Sequence, residues 1–351
     1  MHLCDVLIVG GGPAGSSCAW ALRRRGIDAA ILDRARFPRD KVCGGWITPG
    51  VLRRLDLDCD AYAAQNVFQP ITAFKVGVIG GRSTEVDYGH AVSYGIRRRE
   101  FDYFLLRRSG ARVFEGAALE SLERSGDGWI ANGCIRARIA VGAGGHFCPV
   151  AKKMGAKSCD AVVAQESEFE MNDAEAAGCG VRGDTPELFF SRDLLGYGWC
   201  FRKGNVLNVG LGRADSHSLS QHLQEFIAWK LPFAPPQPRG HAYLLYGSSP
   251  RRIAGDGWML IGDAAGLAYP FSGEGILPAI ESGLIAAEII ADREPMERYP
   301  ARLAARFGRA SALLTRLGSR LPRDWIANRI VPMPWFARRV VLDRWFLRGA
   351  A

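Results

Sequence analysis

The amino-acid sequence contains no apolar run that approaches the roughly 20 residues of a membrane-spanning helix. Apolar runs such as Ile139–Gly145 and Trp258–Gly262 are far shorter, so we expect no transmembrane segment. Low-complexity tracts are absent as well, and 48% of the residues are hydrophobic against 23% charged. This balance excludes a disordered or fibrous protein, and the length of 351 residues favours a globular protein of about two or three domains.

The nine cysteines include no Cys-x-x-Cys pair and no spacing typical of a metal site. The chain also begins with an apolar strand, Cys4–Val9, rather than with the basic and apolar regions of a secretion signal. We therefore expect reduced thiols, no bound metal and a cytoplasmic location.

Net positive charge is absent from most of the chain, although the total is +9. The segment 296–351 holds 12 arginines, no lysine and three acidic residues, so it alone accounts for the net charge. Tryptophan and phenylalanine residues alternate with these arginines. Such a tail favours peripheral contact with anionic lipid or binding of a phosphorylated substrate, or else a helical layer that packs its aromatic residues inward. No nucleic-acid motif accompanies the charge, so we do not expect nucleic acid as a partner.

The first 35 residues have the pattern of a strand, a glycine-rich turn, a helix and a second strand. In the turn, residues 10–15 (GGGPAG), Gly10 would allow the tight bend, Gly12 the approach of a pyrophosphate, and Gly15 close packing of helix on strand. Asp33 ends the second strand, where its carboxylate would accept hydrogen bonds from a ribose. The predicted dinucleotide-binding residues are Gly10, Gly12, Pro13, Ala14, Gly15, Asp33 and Arg34.

A second glycine-rich region decides which dinucleotide is expected. An apolar strand leads into Gly262-Asp263, and another glycine-rich turn precedes a helix predicted over 277–291, at whose start Glu274 should act as a cap. With the first motif, this region resembles the glutathione-reductase-like FAD enzymes related to the aromatic hydroxylases. The resemblance implies that Asp263 holds the ribityl chain and that the helix dipole stabilises reduced flavin. The implied FAD-binding residues are Gly262, Asp263, Gly273, Gly275 and Ile276.

Shorter motifs resemble one branch of these enzymes, the geranylgeranyl reductase family, over residues 5–292. Residues 43–45 (CGG) resemble the family's turn beside the flavin, which implies that Cys43 and Gly44 bind FAD. The helix start at 98–102 implies a cofactor contact by Arg98. The segment 197–201 (YGWCF) resembles a strand that lines the family's substrate cavity.

The catalytic candidates implied by this resemblance are Cys43, Tyr197 and Trp199. Cys43 would relay a proton or position the flavin, and Tyr197 is the other candidate acid. Alternation places Tyr197, Trp199 and Phe201 on one face of a strand, which is typical of plain core as well as of an apolar substrate wall.

The electron donor is not fixed by the motifs. Gly144 stands where many relatives have an aspartate linked to NADPH handling, and no second nucleotide-binding fold follows that segment. We therefore expect either transiently docked NAD(P)H or a protein or quinol donor.

The predicted fold is α/β, with a Rossmann-like FAD-binding domain, an antiparallel β-sheet substrate domain and a C-terminal helical basic tail. The FAD-binding domain is expected to be discontinuous, because the glycine-rich motifs flank the substrate strands. The predicted ranges are 1–70, 96–155 and 250–295 for the FAD-binding domain, 71–95 and 156–249 for the substrate domain, and 296–351 for the tail.

The first functional hypothesis is reduction of C=C bonds in an isoprenoid lipid by hydride transfer from reduced FAD. An isolated alkene has no carbonyl to polarise, so a long apolar cavity would have to orient it. The alternative is an FAD-dependent monooxygenase that acts on an apolar or aromatic substrate with O2, because one fold supports both chemistries. A non-enzymatic FAD-binding protein that works through its basic tail is a third hypothesis, against which the apolar substrate strands argue.

Overall fold

The computed structural model describes residues 1–156, 161–215, 218–248, 251–308 and 323–347. The chain divides into two compact units, each assembled from three segments. The first unit comprises Met1–Asp40, Arg99–Asp160 and Tyr243–Ala312, and the second comprises Lys41–Arg98, Ala161–Ala242 and Leu313–Ala351.

Strands of both units alternate along the sequence. They are β1 His2–Val9, β2 Ala29–Asp33, β3 Trp46–Ile47, β4 Phe68–Ile71, β5 Ala73–Val78, β6 Ser83–Asp87, β7 Ser93–Ile96, β8 Arg112–Glu115, β9 Leu122–Ser125, β10 Gly128–Ala131, β11 Ile135–Gly142, β12 Val162–Glu170, β13 Glu187–Phe190, β14 Gly196–Lys203, β15 Val206–Arg213, β16 Arg239–Tyr243, β17 Ala254–Gly255 and β18 Trp258–Leu260.

Most helices are short. They are α1 Pro13–Arg23, α2 Pro49–Leu55, α3 Cys59–Ala63, α4 Arg98–Ser109, α5 Pro149–Lys153, α6 Asp173–Gly178, α7 Leu219–Lys230, α8 Ile276–Ala291, α9 Tyr299–Phe307, α10 Arg323–Ile330 and α11 Pro334–Phe336, with 3-10 turns at Gly262–Ala264 and Met296–Arg298 and a π-helical segment at Ala337–Phe346.

The first unit is built on a sheet in which the strands run in the order β17-β18-β11-β1-β2-β8. β1 pairs in parallel with β2 and β11, and β11 pairs in parallel with β18. Val6, Leu7 and Ile8 are fully buried, as expected for a parallel strand that is covered on both faces. The predicted Rossmann-like arrangement is confirmed.

The second unit is built on a seven-stranded sheet in the order β16-β12-β15-β14-β13-β5-β6, with a three-stranded sheet β3-β7-β4. The long pairs β12 with β15 and β14 with β15 are antiparallel, as predicted, whereas β13 pairs in parallel with β5. One face packs on α7 through Leu207, Val209, Leu211 and Phe226. The opposite face bears Tyr197, Trp199 and Phe201.

One edge strand of this sheet ends where the chain turns to the first unit. β16 ends at Tyr243. The reason is that residues 244–246 are engaged elsewhere, because the backbone of Leu244 and Tyr246 hydrogen-bonds with Ala268 in the first unit.

The aromatic residues of the C-terminal segment divide between core and solvent. Phe346 is buried, with its ring 5.4 Å from that of Tyr197 and 5.9 Å from that of Trp46. Trp325 and Trp335 are 58% and 69% exposed. The aromatic residues of the tail therefore pack inward only in part. Across the described ranges, no helix is long and apolar enough to cross a membrane.

Candidate functional site

The glycine-rich turn of the first unit joins β1 to α1 without room for side chains at two positions. A Cβ atom at Gly10, which has a φ of +118°, would lie 2.4 Å from the carbonyl oxygen of Ala143. At Gly15, a Cβ atom would lie 1.9 Å from the carbonyl oxygen of Gly10. Pro13 opens the helix, where its missing N–H costs nothing.

Gly12 differs from these two glycines because the protein leaves space beside it. It is the N-cap residue of α1 and has no side-chain cap. The atom nearest to a Cβ at this position would be Nη2 of Arg39, at 3.5 Å. The open space therefore lies at a helix N-terminus, where free N–H groups and the dipole favour an anion.

Asp33 holds the turn together through hydrogen bonds to backbone N–H groups. Its Oδ2 accepts a hydrogen bond of 2.7 Å from the Gly11 N–H, and its Oδ1 accepts one of 2.8 Å from the Ala35 N–H. Arg34 is exposed. Each carboxylate oxygen of Asp33 keeps a lone pair for a ribose hydroxyl.

Arg39 is a candidate that the sequence patterns missed. Its guanidinium lies 3.3 Å from the carboxylate of the fully buried Asp102, and its Nη2 borders the space beside Gly12. A positive charge held at this place can neutralise a pyrophosphate. No local signal marks Arg39, since its partner lies 63 residues along the chain.

The structure brings the second glycine-rich region against the first. A Cβ at Gly262 would lie 2.9 Å from the Cβ of Ala14, and the Gly262 N–H donates a 2.9 Å hydrogen bond to Ser282 Oγ. Asp263 Oδ1 is within 3.2 Å of where a Gly275 Cβ would lie. The carboxylate of Asp263 thus lies at the N-terminus of α8, where Gly275 precedes Ile276.

Gly273 and Glu274 also belong to this region. Gly273 has a φ of +67° and lies close to Tyr243 Oη. Glu274 does not cap α8, because Gly275 occupies the N-cap position. Instead, both carboxyl oxygens of Glu274 are buried without a hydrogen-bond partner in the described part of the chain. Burial raises the pKa of Glu274 to about 8.

In the second unit, the Cys43 turn is fixed by hydrogen bonds to its backbone. The Cys43 N–H donates to Glu166 Oε1 at 2.5 Å, and the Cys43 carbonyl accepts from Asn208 Nδ2 at 3.2 Å. Its Sγ accepts a weak 3.5 Å bond from the Gly45 N–H. Gly45 has a φ of +66°, which a glycine adopts without strain.

The predicted catalytic residues of this unit lie together. A Cβ at Gly44 would lie 3.5 Å from Trp199 Nε1 and 3.5 Å from the ring of Phe201. Trp199 is buried and donates a 2.7 Å hydrogen bond to Asn208 Oδ1. The ring of the half-buried Tyr197 lies 5.9 Å from that of Trp199. Arg98 is 8% exposed and begins α4.

Polar residues on the same sheet face were missed by the sequence analysis. Lys203 is fully buried, and its Nζ lies 2.7 Å from Glu168 Oε2. Asn208 Nδ2 donates to the same oxygen at 3.2 Å. A Cβ at Gly45 would lie 2.2 Å from Lys203 Nζ, so the ammonium group reaches directly beneath the Cys43 turn. The alternation of Glu166 and Glu168 along the sequence was the available signal.

Comparison with known proteins identifies the family. The FAD dependent oxidoreductase family matches residues 5–76. The fold is that of a geranylgeranyl bacteriochlorophyll reductase-like protein of Thermoplasma acidophilum, with a TM-score of 0.80, 23% identity and coverage of 95% of this chain and 92% of that one. A digeranylgeranylglycerophospholipid reductase of Methanocaldococcus jannaschii is 27% identical, over 81% of this chain and 76% of that protein. The menaquinone reductase of Mycobacterium tuberculosis is 30% identical, over 89% of this chain and 83% of that protein. This chain belongs to the geranylgeranyl reductase family of FAD-dependent oxidoreductases.

The first unit of this family member fits FAD. The space beside Gly12 at the N-terminus of α1 suits a pyrophosphate, and Arg39 supplies a positive charge at its edge. Asp33 and Asp263 are placed at the ends of β2 and of the segment after β18, where they can accept hydrogen bonds from sugar hydroxyls. The cofactor candidates Cys43, Gly44 and Arg98 belong to the second unit.

Proposed function

We propose that this flavoenzyme reduces carbon–carbon double bonds in the prenyl chain of a lipid. The observation that carries the proposal is its likeness, over more than four fifths of the chain, to reductases named for menaquinone and for a digeranylgeranyl phospholipid. Both molecules contain a prenyl chain. The buried aromatic face beside the Cys43 turn supports an apolar substrate.

Bound FAD supplies the redox chemistry, because its reduced form donates a hydride. The glycine turn and Arg39 would bind the pyrophosphate, and Asp33 and Asp263 would bind the sugar hydroxyls. The dipole at the N-terminus of α8 would favour the negative charge of a reduced cofactor bound there. The first unit therefore retains the cofactor and supports its reduced state.

The second unit orients the substrate. An isolated alkene offers no polar group to bind, so its position depends on contact with apolar side chains that exclude water. Tyr197, Trp199 and Phe201 supply such a surface, and Gly44 lets the Cys43 turn approach it. Trp199 is fixed in place by its hydrogen bond to Asn208.

Incubation of a geranylgeranyl lipid with the dithionite-reduced protein, in the absence of oxygen, tests this function. We expect mass spectrometry to show the addition of one hydrogen pair for each reduced double bond. Protein from which FAD has been removed is the control and should leave the lipid unchanged. A lipid that is unchanged by the holoenzyme, together with an oxygen-containing product in air, would overturn the proposal in favour of a monooxygenase.

For the physiological reductant, we propose either transiently docked NAD(P)H or a protein or quinol donor. Anaerobic mixing of the oxidised holoenzyme with NADPH separates these sources. Bleaching of the flavin absorbance within seconds would identify the nicotinamide, whereas a stable spectrum would leave the other donors.

We propose further that the C-terminal segment rests on a membrane surface that contains anionic lipid. Its exposed side chains combine apolar anchors with arginines: Trp325, Arg329, Met333, Trp335, Arg338 and Arg339. We call this set the tryptophan-arginine patch. Aromatic residues of this kind favour the lipid interface, and each arginine adds attraction to anionic head groups.

Replacing Arg329 and Arg339 with glutamine is expected to lower the affinity for vesicles of anionic lipid about tenfold or more, because each arginine near such a surface contributes about 1 kcal/mol. Co-sedimentation with phosphatidylserine-containing vesicles measures the change. The variant Arg53→Gln/Arg54→Gln on α2 removes the same charge from another exposed site and should bind like the wild type. Equal losses in both variants would contradict a specific role of the patch.

A further inference from the structure

A buried acid shares the aromatic face of the seven-stranded sheet. Glu166 of β12 is paired with Gly210 of β15, and Gly210 is paired with Trp199 of β14. Directly opposed residues of antiparallel strands project on the same side, so Glu166 lies on the face that bears Trp199. Glycine is required at 210, since a Cβ there would lie 2.3 Å from Cζ2 of Trp199.

The carboxyl group of Glu166 is only partly satisfied by the protein. Oε1 accepts the hydrogen bond from the Cys43 N–H. Oε2 is buried and has no hydrogen-bond partner within the described residues, and the residue is 5% exposed. An ionised oxygen without a partner is costly in such a place, whereas a protonated carboxyl keeps an O–H group to donate.

The charged groups around Glu166 are paired with other residues. Lys203 of β14 is paired with Glu168, whose other oxygen lies 3.8 Å from Nε of Arg97, just after β7. On the other side of β12, His241 of β16 lies 2.6 Å from the ammonium group of Lys41. The nearby positive charges therefore have other partners.

Burial is the main cause that raises the pKa of Glu166 to about 7, and the negative charge of Glu168 adds to it. The Cys43 N–H, the ammonium group of Lys203 and the side-chain amide of Asn208 lower the pKa. The group is thus able to change protonation state near neutral pH, as a general acid must.

We propose that Glu166 is the general acid that completes the reduction of each double bond. This inference rests on the proposed function. One alkene carbon takes the hydride that reduced FAD supplies, and FAD is left oxidised. The Oε2–H bond of Glu166 breaks, and its proton forms the second new C–H bond. The remaining carboxylate accepts the Cys43 N–H bond and regains a proton from water before the next turnover.

This assignment changes the role of Cys43. Its backbone N–H stabilises the carboxylate that forms when Glu166 gives up its proton. Cys43 is therefore a positioning residue, and its thiol is not needed as the proton source. Glu166 is the catalytic residue.

The variant Glu166→Gln tests the proposal, because its amide oxygen still accepts the Cys43 N–H bond but carries no acidic proton. In single turnovers of the dithionite-reduced holoenzyme, we expect the rate of lipid reduction to fall at least about 100-fold. The acid must be protonated to act, so the wild-type rate should be high below about pH 7 and fall as the pH rises above it. The variant should lack this fall.

Glu170→Gln is the matched control, because Glu170 lies on β12 and its side chain is 70% exposed. It should keep the wild-type rate and pH profile. A second readout needs no turnover. Infrared difference spectra of the oxidised holoenzyme between about pH 6 and about pH 8 should show a larger loss of protonated-carboxyl absorbance in the wild type than in Glu166→Gln, where buried Glu274 still titrates.

Each contrary outcome has a distinct meaning. Product from the wild type, with an unchanged rate or an unchanged pH profile in Glu166→Gln, would overturn the role of Glu166 and leave the proposed function intact. An equal loss of carboxyl absorbance in the wild type and in Glu166→Gln would also overturn it. No reduced lipid from the wild type would overturn the proposed function and, with it, the acid's role.

Discussion

Replacing Gly12 with alanine is expected to produce a folded protein that purifies with little FAD. The added methyl group meets no protein atom closer than 3.5 Å, and that atom is the end of the flexible Arg39 side chain. It does occupy the space predicted for the pyrophosphate. Overpacking of this kind costs about 1–3 kcal/mol, which corresponds to a loss of affinity of about fivefold to 100-fold.

The ratio of flavin to protein absorbance and the thermal midpoint of the FAD-free protein together check this result. Gly15→Ala is the informative contrast, because its methyl group would lie 1.9 Å from the Gly10 carbonyl oxygen. That variant should lose both FAD and thermal stability. Full flavin content in Gly12→Ala would show that the pyrophosphate does not bind beside this turn.

Lys203→Met is expected to lower the free energy of unfolding by about 2–3 kcal/mol, because it leaves Glu168 without its ammonium partner on a buried face. The loss should fall below that of a fully enclosed pair, since Asn208 and Arg97 still contact Glu168. Urea unfolding of the holoenzyme, followed by tryptophan fluorescence, measures it.

The double variant Lys203→Met/Glu168→Met should recover much of this stability, because removing both charges leaves no unpaired group. Arg112→Met serves as the surface control. Its ion pair with Asp28 is exposed and should contribute no more than about 1 kcal/mol. A double variant that is less stable than Lys203→Met would contradict a dominant charge effect and indicate a packing role for Lys203.

The first unit was the more predictable from sequence. Gly10 and Gly15 have local steric reasons to be glycine, and Gly262-Asp263 follows an apolar strand directly, so short motifs carry the information. Arg39 escaped notice because its importance depends on Asp102, which reaches it only through the fold.

The acidic cluster of the second unit could not be predicted for a different reason. Periodicity shows that Glu166 and Glu168 share a face of β12, and that Trp199 and Phe201 share a face of β14. It does not show that these two faces are the same, because that depends on the register of each strand with β15. A shift of one residue would have placed both carboxylates on the α7 side.

The burial of Phe346 against Tyr197 and Trp46 also bears on how the protein is made. Residues 337–346 leave the ribosome after every strand of the sheet whose aromatic face they help to cover. During synthesis, the strands can pair before these residues have been made, so the aromatic face of the sheet stays exposed until then. We therefore expect the C-terminal turns to dock onto this face only after the strands of the sheet have been synthesised.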